Sequence, residues 1–204
     1  MSKQLQDAYI VAATRTPIGK APRGMFRNTR PDDLLVRALQ SALLQVPDLD
    51  PALIEDAIVG CSFREAEQGS NMARMAVLLA GMPNTIGGVT VNRFCASGIT
   101  AIAMAADRIR VGQADVMIAA GAESMSMVPM MGHHPSMNMN IFKDENIGMA
   151  YGMGLTAEKV AQQWKISREA QDQFSVDSHR KAIAAQQAGY LDRKSTRLNS
   201  SHRL

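Results

Sequence analysis

The chain has 204 residues, 46% of them hydrophobic, with 22 Lys and Arg against 19 Asp and Glu and a formal net charge of +3. This composition supports a globular core and lacks the dense basic block of a nucleic-acid-binding protein, so no nucleic-acid partner is expected. Because the apolar runs are too short for a signal peptide or a membrane span, we expect a cytoplasmic protein with no membrane contact.

The two cysteines, Cys61 and Cys95, limit the redox and metal chemistry that the chain can have. They cannot form a framework of disulfides, and neither lies in a spacing typical of a zinc site. We therefore expect two reduced thiols, no metal and no bound cofactor.

The first predicted strand is "DAYIVAAT" at 7–14, which ends before Pro17. After a polar loop, Pro31 and Asp32 open a helix whose leucines and alanines recur at helical spacing, and Pro47 closes this segment. The alternation of strand and helix begins here.

Three further predicted strands alternate with helices along the next part of the chain. The strands are "IEDAIVGCS", "GGVTVN" and "ADVMIAAGAES"; the helices are "NMARMAVLLAG", ending at Gly81, and "SGITAIAMAADRIRVG", ending at Gly112. Four strands separated by helices predict an α/β fold with a mainly parallel sheet and helices on both faces. The uniformly apolar stretches "AIVG" and "VMIAA" favour strands buried on both sides.

The sequence changes character near Ser124, and this change predicts three regions. Residues 1–123 form the α/β core, 124–192 a methionine-rich loop followed by helices, and 193–204 a tail without periodicity that we expect to be disordered.

Two helices are predicted in the second region. One contains "TAEKVAQQW", with Thr156 as its cap, and the other follows Ser167 and stops at Gly189.

Cys95 stands between a predicted strand and a helix that begins with Ser97 and Gly98. A cysteine in this position is either a small buried packing residue or a nucleophile. A strand, a tight turn and a helix start would bring the sulfur near unpaired backbone N–H groups, as in a nucleophile elbow.

A helix start alone cannot activate an ordinary thiol at neutral pH. It contributes about 0.3–1 kcal/mol, whereas shifting a pKa by one unit takes about 1.4 kcal/mol. A nucleophilic Cys95 therefore needs a base, and the candidates are His133, His134 and His179. Each of these histidines has a simpler interpretation as a solvated surface residue.

Several motifs together resemble the amino-terminal half of the thiolases. They are "RTPIGK", "VNRFCASG", "GQADVMIAAGAESMS" and "GMGLTAEKVAQQWKISREAQDQFSVDSHRKA", and the resemblance covers Tyr9 to about Leu191. It implies a thiolase-like layered fold, here its first half. It also implies that Cys95 takes an acyl group as a thioester from a 3-ketoacyl-CoA or acyl-CoA and passes it to coenzyme A.

The resemblance implies further roles for single residues. The backbone N–H of Cys95 would belong to an oxyanion hole, and Met153 in "YGMGLTAE" would line the acyl pocket, although a core methionine is the alternative. Arg93 before the cysteine is more typical of the degradative 3-ketoacyl-CoA thiolases than of the biosynthetic type.

The resemblance also implies what a whole thiolase would add. A second half would supply an activating histidine and a second cysteine, and after "GYLD" this chain departs from the family pattern. We therefore expect an amino-terminal fragment with little or no activity alone. The full-length family member would be a homodimer or homotetramer, with the loop from Ser124 to Asn140 contributing to assembly.

Two other interpretations compete with acyl transfer. One is a thiolase-like module that binds a lipid or a partner subunit without catalysis. The other is a copper site in "MSMVPMMGHHPSMNM", because methionine thioethers and imidazoles suit Cu(I).

Overall fold

The computed structural model of the chain describes residues 5–190. The chain forms two compact units that divide after His133. The first unit contains six regular elements in alternating order: α1 (Pro31–Leu43), β1 (Ile54–Gly60), α2 (Met72–Leu79), β2 (Gly87–Val91), α3 (Ser97–Arg110) and β3 (Val116–Gly121).

The three strands form one parallel sheet in the order β2-β1-β3. Gly60 at the end of β1 pairs with Val91 at the end of β2 and with Gly121 at the end of β3. All three strands therefore end at the same level, and the turns that follow them emerge together at one edge of the sheet.

Successive side chains of β1 enter different cores, as the period of two in a strand requires. Ala57 and Val59 belong to a cluster with α1 and α2, whereas Ile58 packs with Ala101 and Ala105 of α3. Helices therefore cover both faces of the parallel sheet, and the predicted α/β class is confirmed.

Both ends of α3 are fixed against β1. At the helix start, a Cβ on Gly60 would lie 2.7 Å from the Ser97 carbonyl carbon and 2.8 Å from the Gly98 nitrogen, so only glycine allows this approach. Near the other end, Arg108 Nη1 donates to the largely buried Asp56 carboxylate at 2.6 Å. These contacts set the position of the helix start at the end of the sheet.

The prediction that residues 7–14 form the first strand is wrong. The segment pairs with no strand among the described residues; instead, the Ala13 amide and carbonyl bond to the Gln45 side chain. Tyr9, Ile10 and Val11 are 76%, 80% and 74% exposed. An apolar run becomes a strand only where a neighbouring strand offers matching donors and acceptors.

A cavity of about 610 Å³ lies between this segment and the sheet. Residues 8–21 line one side of it, and β3 with the following residues 122–126 lines another. Because β3 has a strand neighbour on one side only, it is half-buried. The prediction that "VMIAA" is buried on both sides is therefore wrong, whereas "AIVG" in β1 is buried throughout.

The predicted helix stops are confirmed. Gly81, Gly112 and Gly189 have φ values of +75°, +69° and +77°, and each lies two residues after the last helical residue. This left-handed conformation is strained for residues with a Cβ, so glycine ends these helices.

The second unit consists of short turns and helices. Two 3-10 turns, Met139–Phe142 and Ile147–Ala150, precede α4 (Met153–Gln163) and α5 (Arg168–Gln187).

The two predicted helix caps have different outcomes. Ser167 caps α5, since its Oγ accepts from the Ala170 amide at 3.2 Å. The cap predicted at Thr156 is wrong, because α4 begins three residues earlier and the Thr156 hydroxyl donates to the Gly152 carbonyl inside the helix.

Residues 193–204, predicted to be a disordered tail, lie outside the described residues. Among the helices that the structure describes, none has the length and apolarity needed to cross a membrane.

Candidate active site

Cys95 lies in the turn between β2 and α3, at the edge where the three strands end. Cys95 is an exposed residue, and its thiol is free of any disulfide. Parallel sheets place functional side chains at the carboxyl ends of their strands. The position predicted from the sequence, just beyond a strand, is confirmed.

The turn is held on both sides of Phe94, the residue before Cys95. Phe94 has a φ of +46°, a left-handed conformation that a bulky residue rarely adopts. Its amide donates to Asn92 Oδ1 at 2.9 Å, and its carbonyl accepts from Ser97 Oγ at 2.6 Å. Ser97 Oγ also accepts from the Arg93 amide at 2.8 Å. These bonds compensate for the unfavourable backbone conformation and fix the direction in which the chain enters Cys95.

The start of α3 leaves backbone donors beside the cysteine. The Thr100 amide bonds to the Ala96 carbonyl and is the first to follow the helical pattern. Within residues 5–190, no acceptor is bonded to the amides of Cys95, Gly98 and Ile99. Unpaired amides at a helix start attract negative charge, so they can stabilise a thiolate or an oxyanion.

Cys61 has the opposite environment from Cys95. It follows β1 directly, is 1% exposed, and its Sγ donates to Glu123 Oε1 at 3.7 Å. Burial, reinforced by the Glu123 carboxylate, raises the pKa of Cys61 to about 12. Cys61 is therefore a protonated packing residue at neutral pH.

Three polar residues at this edge were not identified from the sequence: Asn92, Gln68 and Glu123. Gln68 is fully buried, and its Nε2 donates to Glu123 Oε1 at 2.6 Å and to the Phe63 carbonyl at 2.8 Å. The signal for Asn92 and Glu123 was their position one and two residues after a strand. No sequence signal pointed to Gln68, because its contacts form only where the loop after β1 meets the residues after β3.

His133 is the candidate histidine in the same unit as Cys95, and it is not bonded to Cys95. The His133 amide donates to the Glu65 carboxylate, and its ring Nε2 lies 3.0 Å from the Met127 carbonyl oxygen. His134 and His179 are exposed residues of the second unit. Within residues 5–133, no histidine therefore forms a hydrogen bond with Cys95.

Met153 is the first residue of α4 in the second unit and is 77% exposed. Among the described residues Met153 packs in no hydrophobic core, and its place in an acyl pocket stays a prediction. Among residues 5–190, no cluster of three or more His, Cys, Asp or Glu side chains lies close enough to hold a metal ion.

The fold and this site together define a parallel α/β protein with an exposed cysteine at a helix start. A family model described as "Thiolase, N-terminal domain" matches residues 8–195, so the chain belongs to the thiolase family. The resemblance found in the sequence motifs is confirmed.

Curated relatives and a solved structure agree with this assignment. The chain is 45% identical to a 3-ketoacyl-CoA thiolase of Bacillus subtilis over 181 residues, and 43% identical to one of Aeromonas salmonicida over 193 residues. These alignments cover 89% and 93% of this chain but 46% and 49% of the relatives.

The crystal structure of the Bacillus anthracis acetyl-CoA acetyltransferase matches with a TM-score of 0.76 and 32% identity. That match covers 95% of this chain and 51% of the other. The chain thus spans about half the length of the proteins it resembles.

Proposed function

We propose that the chain carries the nucleophile of a thiolase, an acyltransferase that moves an acyl group between a 3-ketoacyl-CoA and coenzyme A through a thioester on Cys95. The observation that carries the proposal is the exposed residue Cys95 at the start of α3, where the amides of Cys95, Gly98 and Ile99 have no acceptor among residues 5–190. Relatives at 43% and 45% identity that are named 3-ketoacyl-CoA thiolases support this substrate class, as does Arg93 before the cysteine.

The proposed reaction balances in two acyl transfers. The Cys95 thiolate attacks the 3-keto carbon, and the bond between carbons 2 and 3 breaks. The acyl group stays on sulfur as a thioester, and the departing acetyl-CoA carbanion takes a proton. The thiolate of coenzyme A then attacks the thioester, which releases acyl-CoA and frees Cys95.

Backbone amides would stabilise the charge that develops in these steps. When sulfur attacks a carbonyl, its oxygen becomes an oxyanion, and donors already in place lower this barrier without reorganising. Among residues 5–190 the Cys95 amide has no acceptor, and the Gly98 and Ile99 amides lie in the first turn of α3.

The described residues of the first unit offer no histidine base bonded to Cys95, since His133 forms no hydrogen bond to it. We propose that the activating histidine and a second cysteine belong to sequence that this chain does not contain. The 204-residue chain alone should then show little or no thiolysis of acetoacetyl-CoA. Turnover near that of an intact thiolase would contradict this point.

The remaining roles implied by the family are proposals of the same kind. Met153 would contact the acyl group, and the full-length protein would be a homodimer or homotetramer in the cytoplasm. The loop from Ser124 to Asn140 would take part in assembly.

Selective labelling tests the nucleophile without requiring turnover. The full 204-residue chain is treated with iodoacetamide at neutral pH, and the peptides containing Cys95 and Cys61 are quantified by mass spectrometry. We expect Cys95 to react at least about tenfold faster, because Cys95 is an exposed residue whereas Cys61 is buried. Equal slow rates at both cysteines would count against the proposal.

Acylation provides the second arm of this test. Because no base is bonded to Cys95, only slow, single acetylation is expected, so prolonged incubation with excess acetyl-CoA should leave a hydroxylamine-sensitive acetyl group on Cys95. Cys61→Ala should retain the adduct, whereas Cys95→Ala should lose it. An adduct that persists in Cys95→Ala would assign the chemistry to another residue.

A further inference from the structure

We propose that Glu123 is a positioning residue for Cys95, acting through Ser62 and Asn92 on the turn that carries the nucleophile. The proposal rests on the function proposed above and adds a residue two positions after β3 to the machinery of the same site. It follows from a continuous set of hydrogen bonds that begins at β3 and ends at the residue before Cys95.

The Glu123 carboxylate is surrounded by donors. Ser62 N–H donates to Oε2 at 2.7 Å, while Gln68 Nε2 and Phe63 N–H donate to Oε1 at 2.6 and 3.4 Å. The Cys61 thiol donates to the same oxygen at 3.7 Å. An ionised carboxylate has only acceptors and satisfies all four groups, whereas a glutamine at this position would direct its own N–H₂ at a donor.

Gln68 holds this carboxylate against the sheet. Its side chain is fully buried, its Oε1 accepts from the Ser124 amide, and its Nε2 bonds to both Glu123 and the Phe63 carbonyl. A buried amide whose donors and acceptor are all engaged has one orientation. The loop after β1 and the residues after β3 are therefore joined rigidly.

Asn92 carries the connection from this joint to the nucleophile turn. Its Nδ2 donates to the Ser62 carbonyl at 2.8 Å, and its Oδ1 accepts from the Phe94 amide at 2.9 Å. The Ser62 residue thus bonds to Glu123 through its amide and to Asn92 through its carbonyl.

Phe94 is where this connection acts on Cys95. Its φ of +46° is unfavourable for a phenylalanine, so the backbone would relax if the surrounding bonds were lost. The Phe94 ring also lies 6.2 Å from that of Phe63, centroid to centroid, on the loop that Glu123 holds. A change at Phe94 would rotate the next residue, Cys95, relative to the unpaired amides of α3.

The test is the iodoacetamide labelling rate of Cys95 in Glu123→Gln, measured in the full chain. We expect the rate to fall about tenfold, the effect of losing one hydrogen bond to a charged group. Loss of a negative charge would not by itself disfavour a thiolate, so a purely electrostatic effect predicts no fall in the rate. The direction of the change therefore separates positioning from simple electrostatics.

Glu55→Gln is the matched control. The Glu55 carboxylate also accepts a backbone N–H, from Asp115 at 3.0 Å, but it lies at the start of β1, at the opposite end of the sheet. We expect the Cys95 rate of Glu55→Gln to equal that of the wild type. A comparable fall in this control would attribute the effect to general loosening of the sheet and overturn the proposal.

A second variant, Asn92→Ala, breaks the connection at its middle without changing charge. We expect a similar fall, while Asn71→Ala, which removes an asparagine that joins α2 to β2, should leave the Cys95 rate unchanged. The double variant Glu123→Gln with Asn92→Ala should react no more slowly than the slower single variant. Effects that instead add would mean that the two residues act separately, against the proposal.

Urea midpoints of all variants are measured together with the rates. If Glu123→Gln fails to fold, Asn92→Ala decides the question by itself. A wild-type rate in both variants overturns the proposal. Acetylation of Cys95 in the wild type is scored separately, so a failure of the acyl-transfer function is distinguished from a failure of positioning.

Discussion

The two units of the chain differ in how their helices are stabilised. In the first unit, α1, α2 and α3 bury side chains against the sheet, and the core includes Leu35 and Ile58. In the second unit, none of the described residues is buried, and Phe174 is 78% exposed. The first unit therefore depends on tertiary packing, whereas the helices of the second depend on local interactions such as capping and ion pairs.

The difference shows that helix formation and burial are separate requirements. α5 has a Ser167 cap, a glycine stop and an ion pair between Arg168 and Asp172 with a 2.9 Å N–O distance, yet it has no core. Most helical stability in proteins comes from packing of one face. We expect the second unit to contribute little to the global free energy of unfolding.

The largest effect that tests this comparison comes from truncating apolar side chains in each unit. Leu35→Ala should lower the free energy of unfolding by about 3 kcal/mol, because it leaves a cavity in the core. Phe174→Ala should change it by less than about 0.5 kcal/mol, since the ring is exposed. Urea unfolding of the full chain measures both. Equal losses would show that Phe174 is buried in solution.

An intermediate effect is the pH dependence that Cys61 adds to the first unit. The folded pKa of Cys61, about 12, lies above its ordinary value of 9.0, so the folded state retains a proton that the unfolded state loses between these values. Stability from this group is complete below about pH 9 and is lost as the pH rises toward 12. Urea unfolding at increasing pH should show a steeper decline in the wild type than in Cys61→Ala. Parallel declines would contradict the assigned cause.

The smallest effect concerns the cap of α5. Ser167→Ala removes the acceptor for the Ala170 amide and should destabilise the first turn by about 1 kcal/mol. Hydrogen exchange should accelerate at the start of α5, with no change in β1. Thr156→Ala provides the comparison, because Thr156 lies inside α4 and caps nothing. Acceleration in β1 as well would show that α5 supports the sheet.

Local patterns were reliable where the interactions are local. Gly81, Gly112 and Gly189 marked helix ends because left-handed backbone favours glycine wherever it occurs. The cap predicted at Thr156 was wrong because a threonine before an apolar pattern resembles a cap, whereas α4 begins at Met153. The pattern gives the helix but fixes its first residue poorly.

The predicted strand at 7–14 failed for a different reason. Its composition suits a strand, but pairing depends on a neighbour at the correct distance, and a cavity separates this segment from β3. No property of residues 7–14 themselves contains that information.

The candidate site likewise combines features that depend on neighbours along the chain with contacts that form only in the folded structure. The sequence by itself determined that Cys95 follows a strand and precedes a helix, and its motifs determined the family, because both depend on neighbours along the chain. Only the tertiary structure joined Asn92 to Ser62 and Glu123, since these residues are 30 and 61 positions apart and meet where three parallel strands end level. Contacts between residues this far apart along the chain form only when the strands and the loops that follow them pack together, and neighbours along the chain do not specify them.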